Sequence, residues 1–333
     1  MLFNIWVTSA CNFRCKYCYV PDYEYNMSEK TAKSVVAFIK KNTPKNEKEI
    51  IVNFHGGEPL LNFKLINKIV ADLEDQITNK ILFGITTNGS LLTKEISEFL
   101  ATKFQYNLSV SLDGTRSIND KNRVYPNDVG TYDSVIENIL YLKSLSSAIR
   151  LRMTYNHDTV EHLYESIQHV ANLGFTKIVA IPDFSDAQWN DEYINILIKQ
   201  LNCVFKNFID NKNIDINIIS DDIRRKRQVC HGGINGVNIY IDGNIFPCTW
   251  TVGNPDFIIG NIYDGVDVEK VNIILDHSFE TIQECKECGL YEACIGNRCR
   301  MVNKIITGDY CKVPAMRCEY NNIIYKLQKQ YRL

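Results

Sequence analysis

Six short apolar runs alternate with five helix-like patterns over the first 182 residues of the chain. The runs are Leu2–Thr8, Glu49–Phe54, Lys80–Thr87, Tyr106–Leu112, Ile149–Tyr155 and Thr176–Ile181. They are rich in Ile, Val and Phe, and such continuous apolar character suits strands covered on both faces. Helical patterns lie near residues 28–41, 62–77, 93–103, 131–145 and 158–172, with Ser28, Thr93 and Asp158 as N-caps. This alternation dictates a parallel sheet with right-handed crossovers. Six strand–helix units fall short of the eight that close a barrel, so the expected α/β architecture is an open, partial (β/α)6 barrel.

The pattern changes near Asp183. A long amphipathic helix is expected over Asp186–Ile209 with Cys203 as a small buried residue, then a strand over Ile214–Ile219. The basic stretch Arg224–Arg227 reads as solvated surface. Asp242-Gly243 between two alternating apolar runs signals a β-hairpin that ends at Cys248. The remainder is cysteine-dense and loop-rich, forms a small C-terminal domain, and closes on a helix over Pro314–Tyr331. The expected division is residues 1–183 for the barrel, 184–229 for a bridging helix and strand, and 230–333 for the cysteine-rich domain. The first boundary moves to about 229 if the long helix belongs to the barrel.

Composition narrows the class. Net charge is −2, which argues against a nucleic-acid or anionic-membrane partner. No apolar run approaches the roughly 18 residues a membrane span needs. The N-terminus does not read as a signal peptide, so a cytoplasmic location is expected. Twelve cysteines stand out against this background. Disulfides suit small secreted domains, not a chain of this size without a secretion signal. Zinc and iron–sulfur clusters remain, since both use tight cysteine spacings.

Three of the twelve form Cys11-x3-Cys15-x2-Cys18, directly after the first strand. That loop lies at the carboxyl end of the sheet, where active sites of α/β proteins gather. Three thiolates hold three irons of a 4Fe–4S cluster and leave the fourth open to another ligand, whereas zinc on three Cys is the structural alternative.

This spacing, with the aromatic Tyr17 before the last cysteine, resembles the radical S-adenosylmethionine (SAM) superfamily. Matching features follow at successive strand ends. Gly56-Gly57-Glu58-Pro59 resembles the family's GGEP motif; two glycines let backbone approach a ligand closely, and Glu58 would stand near its ammonium group. Asn88, Ser111, Asp113 and Arg123 occupy strand-end positions that in similar enzymes contact the ribose and carboxylate of SAM. The resemblance implies that the open iron chelates the amino and carboxylate groups of SAM. One electron then cleaves SAM to a 5′-deoxyadenosyl radical, which abstracts hydrogen from a substrate.

The later cysteines resemble the SPASM extension, an auxiliary iron–sulfur domain of radical SAM peptide maturases. Cys230, Gly243 and Cys248 match its first half; Cys285-x2-Cys288-x5-Cys294-x4-Cys299 and a late cysteine match its second, with one extra residue before Cys299. The resemblance implies two auxiliary clusters: Cys230, Cys248 and Cys299 in the first; Cys285, Cys288, Cys294 and Cys318 in the second. Cys311 is then spare, or completes the first. A zinc ribbon over Cys285–Cys299 is the competing reading.

A peptide or protein substrate is therefore expected, crosslinked through a thioether or carbon–carbon bond. The alternative is oxidation of a sulfatase side chain to formylglycine, against which Thr249 stands where such maturases carry an Asp base. An external electron donor is implied, and the early Cys11 suggests that a separate leader-binding protein, or the barrel itself, recognises the substrate. A non-enzymatic iron–sulfur or zinc protein is the reading from another class.

Overall fold

The computed structural model describes residues 1–20, 24–44 and 46–332. β1 (Leu2–Thr8) is followed by α1 (Glu29–Asn42), β2 (Glu49–Gly56), α2 (Phe63–Gln76), β3 (Lys80–Thr87), α3 (Lys94–Lys103) and β4 (Asn107–Ser111). Next come α4 (Arg116–Asn122), α5 (Tyr132–Leu145), β5 (Ile149–Tyr155), α6 (Leu163–Asn172), β6 (Lys177–Pro182), α7 (Asp191–Phe208), β7 (Asp215–Ile216) and α8 (Asn217–Ser220). The hairpin is β8 (Gly236–Ile239) and β9 (Asn244–Phe246), and β10 (Gly260–Asn261) and β11 (Gly265–Val266) extend it. Four helices close the chain: α9 (Val268–Phe279), α10 (Ile295–Arg298), α11 (Arg300–Thr307) and α12 (Ala315–Arg332).

β1 to β7 are parallel and adjacent in sequence order, as the alternation predicts. Ser28 and Thr93 cap their helices, accepting from Thr31 N–H at 3.0 Å and Ile96 N–H at 3.2 Å. Asp158 does not cap α6, because a short 3-10 turn, Val160–His162, precedes that helix. Asp158 instead lies 3.3 Å from His157 Nε2. The long helix starts at Asp191, five residues later than expected; Asn190 caps it, and Asp186 accepts from His157 and Gln188 N–H. Cys203 is exposed, because the buried stripe of α7 is Leu197, Leu201, Val204, Phe205 and Phe208. The strand expected over Ile214–Ile219 is only two residues long and turns into α8. The cysteine-rich region carries more helix than a loop-rich reading implies.

Two findings position the site. First, the hairpin joins the barrel sheet: β8 pairs in parallel with β1, giving the order β11-β10-β9-β8-β1-β2-β3-β4-β5-β6-β7. Gly243 turns the hairpin at φ 91°, a left-handed conformation that favours glycine. Second, the strands are not apolar on both faces. One face carries Phe3, Ile5, Val52, Phe54, Ile85, Leu108, Val110 and Leu151, all fully buried. The other is polar, because side chains alternate along each strand. Asn238, Asn4, Asn53, Gly84 and Asn107 stand in register across β8, β1, β2, β3 and β4. Asn4 Nδ2 donates to Asn238 Oδ1 at 3.0 Å and Asn53 Nδ2 to Asn4 Oδ1 at 3.1 Å. Higher rows on this face hold Trp6, His55, Thr86, Ser109 and Arg150, then Ser111 and Arg152. The polar face lines the barrel interior, and its upper rows lead to the carboxyl ends.

Candidate active site

Residues Ser9–Cys18 form a loop across the carboxyl end of β1. Phe13 anchors it, buried and packed edge-on against Tyr125 at 5.1 Å between ring centres. Arg14 and Lys16 N–H donate to the carbonyls of Val124 and Asn122 at 2.7 and 2.9 Å. Held this way, the loop presents Cys11, Cys15 and Cys18 on one short stretch, with Cys18 exposed. Burial pushes the Cys11 thiol up to about 12 and the Cys15 thiol up to about 11. Buried thiols of this kind stay protonated until a metal draws the protons off, so the donor set fits a thiolate-bound cluster. Among the described residues, no three His, Cys, Asp or Glu side chains close around a single-ion site.

The β2 end approaches this loop through backbone alone. Glu58 N–H donates to Ala10 O at 2.8 Å and Gly57 N–H to Thr8 O at 3.2 Å. A Cβ on Gly57 would lie 2.5 Å from Ala10 O and 2.6 Å from Ser9 O, so only glycine allows the contact. Gly56 is nearly as tight, 2.7 Å from Thr8 O. The Glu58 carboxylate is buried. It accepts from Leu60 N–H at 3.0 Å, Thr87 Oγ1 at 2.7 Å and Asn88 N–H at 2.7 Å. Burial pushes its carboxyl up to about 7, even though those three donors favour the charged form. Asn88 ties β3 to the loop, donating to Asn12 Oδ1 at 2.9 Å and lying 3.9 Å from Cys11 Sγ.

Asp113 is a bracket on the far side of the loop. It accepts the Tyr17 hydroxyl and Thr154 N–H and forms an ion pair with Arg123 Nε at 3.1 Å. Arg123 also lies 3.9 Å from Cys15 Sγ and 5.4 Å over the Tyr17 ring. Glu58, Asn88, Asp113, Tyr17 and Arg123 thus hold the cysteine loop, while the Ser111 side chain forms no hydrogen bond among the described residues.

The later thiols sort into two groups. Cys248 lies near Cys299 and Cys230, and Cys230 near Cys299. Cys285 lies near Cys294, Cys318 and Cys288, and Cys318 near Cys294 and Cys288. Amides from α12 serve the second group: Asn321 Nδ2 reaches Cys294 Sγ at 3.3 Å and Asn322 Nδ2 reaches Cys318 Sγ at 3.7 Å. Cys311 stands apart, its Sγ donating to Glu280 Oε2 at 2.9 Å.

Four further residues that no motif announces stand beside the loop: exposed Tyr19 and part-buried Trp250, His55 and Arg152. Tyr19, next to Cys18, stacks on Trp250 at 4.8 Å and 17°, and its hydroxyl faces Thr249. Trp250 is two residues beyond Cys248, so the stack brings the N-terminal loop next to the first late group. His55 stacks on Trp6 at 5.9 Å; burial, then the charge of Arg152, pushes its imidazole down to about 4. Arg152 projects from β5. The one sequence trace is a pair of arginines, Arg150 and Arg152, inside an otherwise apolar strand.

Residues 5–170 match the Radical SAM superfamily. The chain is 24% identical to a cysteine-type anaerobic sulfatase-maturating enzyme of Clostridium novyi, over 86% of this chain and 84% of that protein. It is 25% identical to the radical SAM cyclopropyl synthase TigE of Paramaledivibacter caminithermalis, over 96% of this chain and 69% of that protein. Native anSMEcpe with bound AdoMet superposes with a TM-score of 0.83 at 18% identity, over 99% of this chain and 97% of that one. Streptococcus suis SuiB bound to precursor peptide SuiA superposes with a TM-score of 0.66 at 18% identity, over 95% of this chain and 75% of that one.

Proposed function

Because the chain belongs to the radical SAM superfamily, an enzyme family that uses a 4Fe–4S cluster and SAM, we propose that it modifies a ribosomally made peptide. Cys11, Cys15 and Cys18 would hold the cluster. When bound, the cluster and SAM supply one-electron chemistry that yields a hydrogen-abstracting radical. The chain's own residues fix the setting. Phe13, Asn88 and the Asp113–Arg123 bracket orient the cysteine loop, and Gly56 and Gly57 bring backbone to it. Trp6 and His55 line the interior, where water would quench reactive species. The depressed His55 keeps its imidazole neutral at working pH, so it accepts or donates one hydrogen bond without adding charge.

The observation that carries the peptide reading is the Tyr19–Trp250 stack. It ties the Cys18 end of the first site to the Cys248 end of the first auxiliary group, so a substrate there touches both. Cys230, Cys248 and Cys299 would hold one auxiliary cluster, and Cys285, Cys288, Cys294 and Cys318 the other. With Cys311 bonded to Glu280, the first group has three thiols and a place for a substrate thiolate. That favours thioether formation, written as peptide C–H plus peptide S–H joined with loss of two hydrogens. One hydrogen would leave as an atom and the other as a proton, with one electron left for an acceptor of the kind an auxiliary iron–sulfur cluster would supply.

Formylglycine formation is the second reading, supported by the match to the C. novyi maturase and by the near-complete superposition on anSMEcpe. Mass spectrometry of a co-expressed Cys-bearing peptide separates the two. Loss of two hydrogens marks a crosslink; exchange of the thiol for an aldehyde marks formylglycine. In either case the Cys15→Ala, Cys18→Ala double variant keeps auxiliary iron but releases no 5′-deoxyadenosine from SAM. If that variant still cleaves SAM, the N-terminal assignment is wrong.

A further inference from the structure

The barrel interior holds three arginines that differ in one respect. Arg123 is neutralised by Asp113 at 3.1 Å. Arg150 donates to Asn107 Oδ1 at 3.4 Å. The guanidinium of Arg152, on the same face of β5, makes no hydrogen bond or ion pair among the described residues. Its titratable neighbours are Arg150, Arg123 and the neutral phenol of Tyr19, and no carboxylate is among them. Arg152 is part-buried, stands in register with Ser111 on β4, and its charge reaches His55 on β2. A guanidinium withdrawn from water among like charges is unfavourable unless an anion pairs with it.

We propose that Arg152 binds a carboxylate of the peptide substrate, from an Asp or Glu side chain or a free C-terminus. This deepens the peptide reading and rests on it. A carboxylate suits the fork of an arginine, which gives two parallel N–H bonds and fixes orientation as well as affinity. One neighbour completes the subsite. His55, held neutral by burial, adds a hydrogen-bonding group without a competing charge. SAM offers a carboxylate too, but the family resemblance places it on the open iron. Arg123, 3.9 Å from Cys15 Sγ, is the arginine on that side. Arg152 lies toward Tyr19, hence toward Trp250 and the first auxiliary group.

The test uses the reconstituted enzyme, kept anaerobic with SAM bound, and a randomised peptide library displayed with either free or amidated C-termini. Retained sequences are counted for wild type, Arg152→Gln and Arg152→Lys, and SAM affinity is measured for each by equilibrium dialysis. Wild type is expected to enrich Asp and Glu, or free C-termini, and Arg152→Gln to lose that enrichment about tenfold or more. Arg152→Lys retains part of it, and SAM affinity stays within about twofold throughout. The amidated library tells the two carboxylate sources apart. Acidic enrichment that survives in Arg152→Gln overturns the proposal. So does a tenfold loss of SAM affinity in that variant, which would assign Arg152 to SAM. A wild-type enzyme that binds SAM and retains no peptide overturns the peptide reading, and this subsite with it.

Discussion

Glu58 and His55 are three residues apart and titrate in opposite senses. The Glu58 carboxyl is pushed up by burial to about 7, from an ordinary value of 4.5. Between those values the folded protein holds a proton that the unfolded chain has released. Its contribution to stability is therefore full below about 4.5 and is lost as pH rises through 7. At about 1.4 kcal/mol per unit, the loss is roughly 3 kcal/mol. His55 is pushed down from 6.5 to about 4, first by burial and then by Arg152. It stays neutral when folded, so stability is lost as pH falls from 6.5 toward 4. The two slopes oppose each other across the shared window. Glu58→Gln removes the first and leaves the second, so the variant's stability should rise with pH between about 4.5 and 6.5 more steeply than wild type. Anaerobic urea unfolding across that range measures it. Equal slopes in the two proteins would mean that Glu58 is ionised throughout and that its three donors outweigh burial.

At the scale of elements, the cysteine pattern and the surrounding helices say different things about Cys311. By spacing it is a spare ligand; by contact it belongs to Glu280, near the end of α9, while α11 and the following loop bring Cys299 and Cys311 onto different neighbours. Four irons per cluster over three sites gives about 12 irons per reconstituted chain. Cys311→Ala should leave that number unchanged, whereas Cys294→Ala should lower it by about four and spare SAM cleavage. Iron assay with 5′-deoxyadenosine release checks both; a fall of about four in the Cys311→Ala protein assigns that thiol to a cluster. Strands, hairpin and ligand spacings are legible in sequence because each rests on local rules: apolar runs, Asp-Gly turns, and thiols a few residues apart. The polar interior face is not. Arg150 and Arg152 look like blemishes in an apolar strand until register sets them beside Ser109 and Ser111. The pairing of β8 with β1 links residues 234 positions apart at Asn4 and Asn238, which no local pattern encodes. Cys203 shows the same limit: a helical stripe one residue wide of it leaves it exposed.

Across the whole molecule, late sequence closes both flanks of early sequence. On one flank β8 covers β1, which would otherwise be an unpaired edge, and Asn238 Oδ1 accepts from the buried Asn4 amide. On the other flank α12 lies on α7. Tyr331 stacks on Phe205 at 5.4 Å, and Gln328 donates to Asp221 O at 2.7 Å and accepts from Ile223 N–H at 3.2 Å. Divisions at residues 183 and 229 therefore mark changes of pattern, and the physical argument is against folding by parts. A fragment of residues 1–229 would expose the whole donor and acceptor row of β1, strand edges of this kind being templates for aggregation. It would also leave the buried Asn4 amide without its Asn238 partner, at a cost of about 1–3 kcal/mol, and strip Tyr331 from Phe205 on α7. Set against a domain's usual margin of about 5–15 kcal/mol, those losses together should abolish cooperative folding. The fragment is expected to elute as aggregate on size exclusion and to melt without a sharp transition by circular dichroism, even though it retains Cys11, Cys15 and Cys18. A monomeric fragment with a cooperative melt and about four irons bound would show instead that the barrel is self-sufficient and that the hairpin is an addition to a finished sheet.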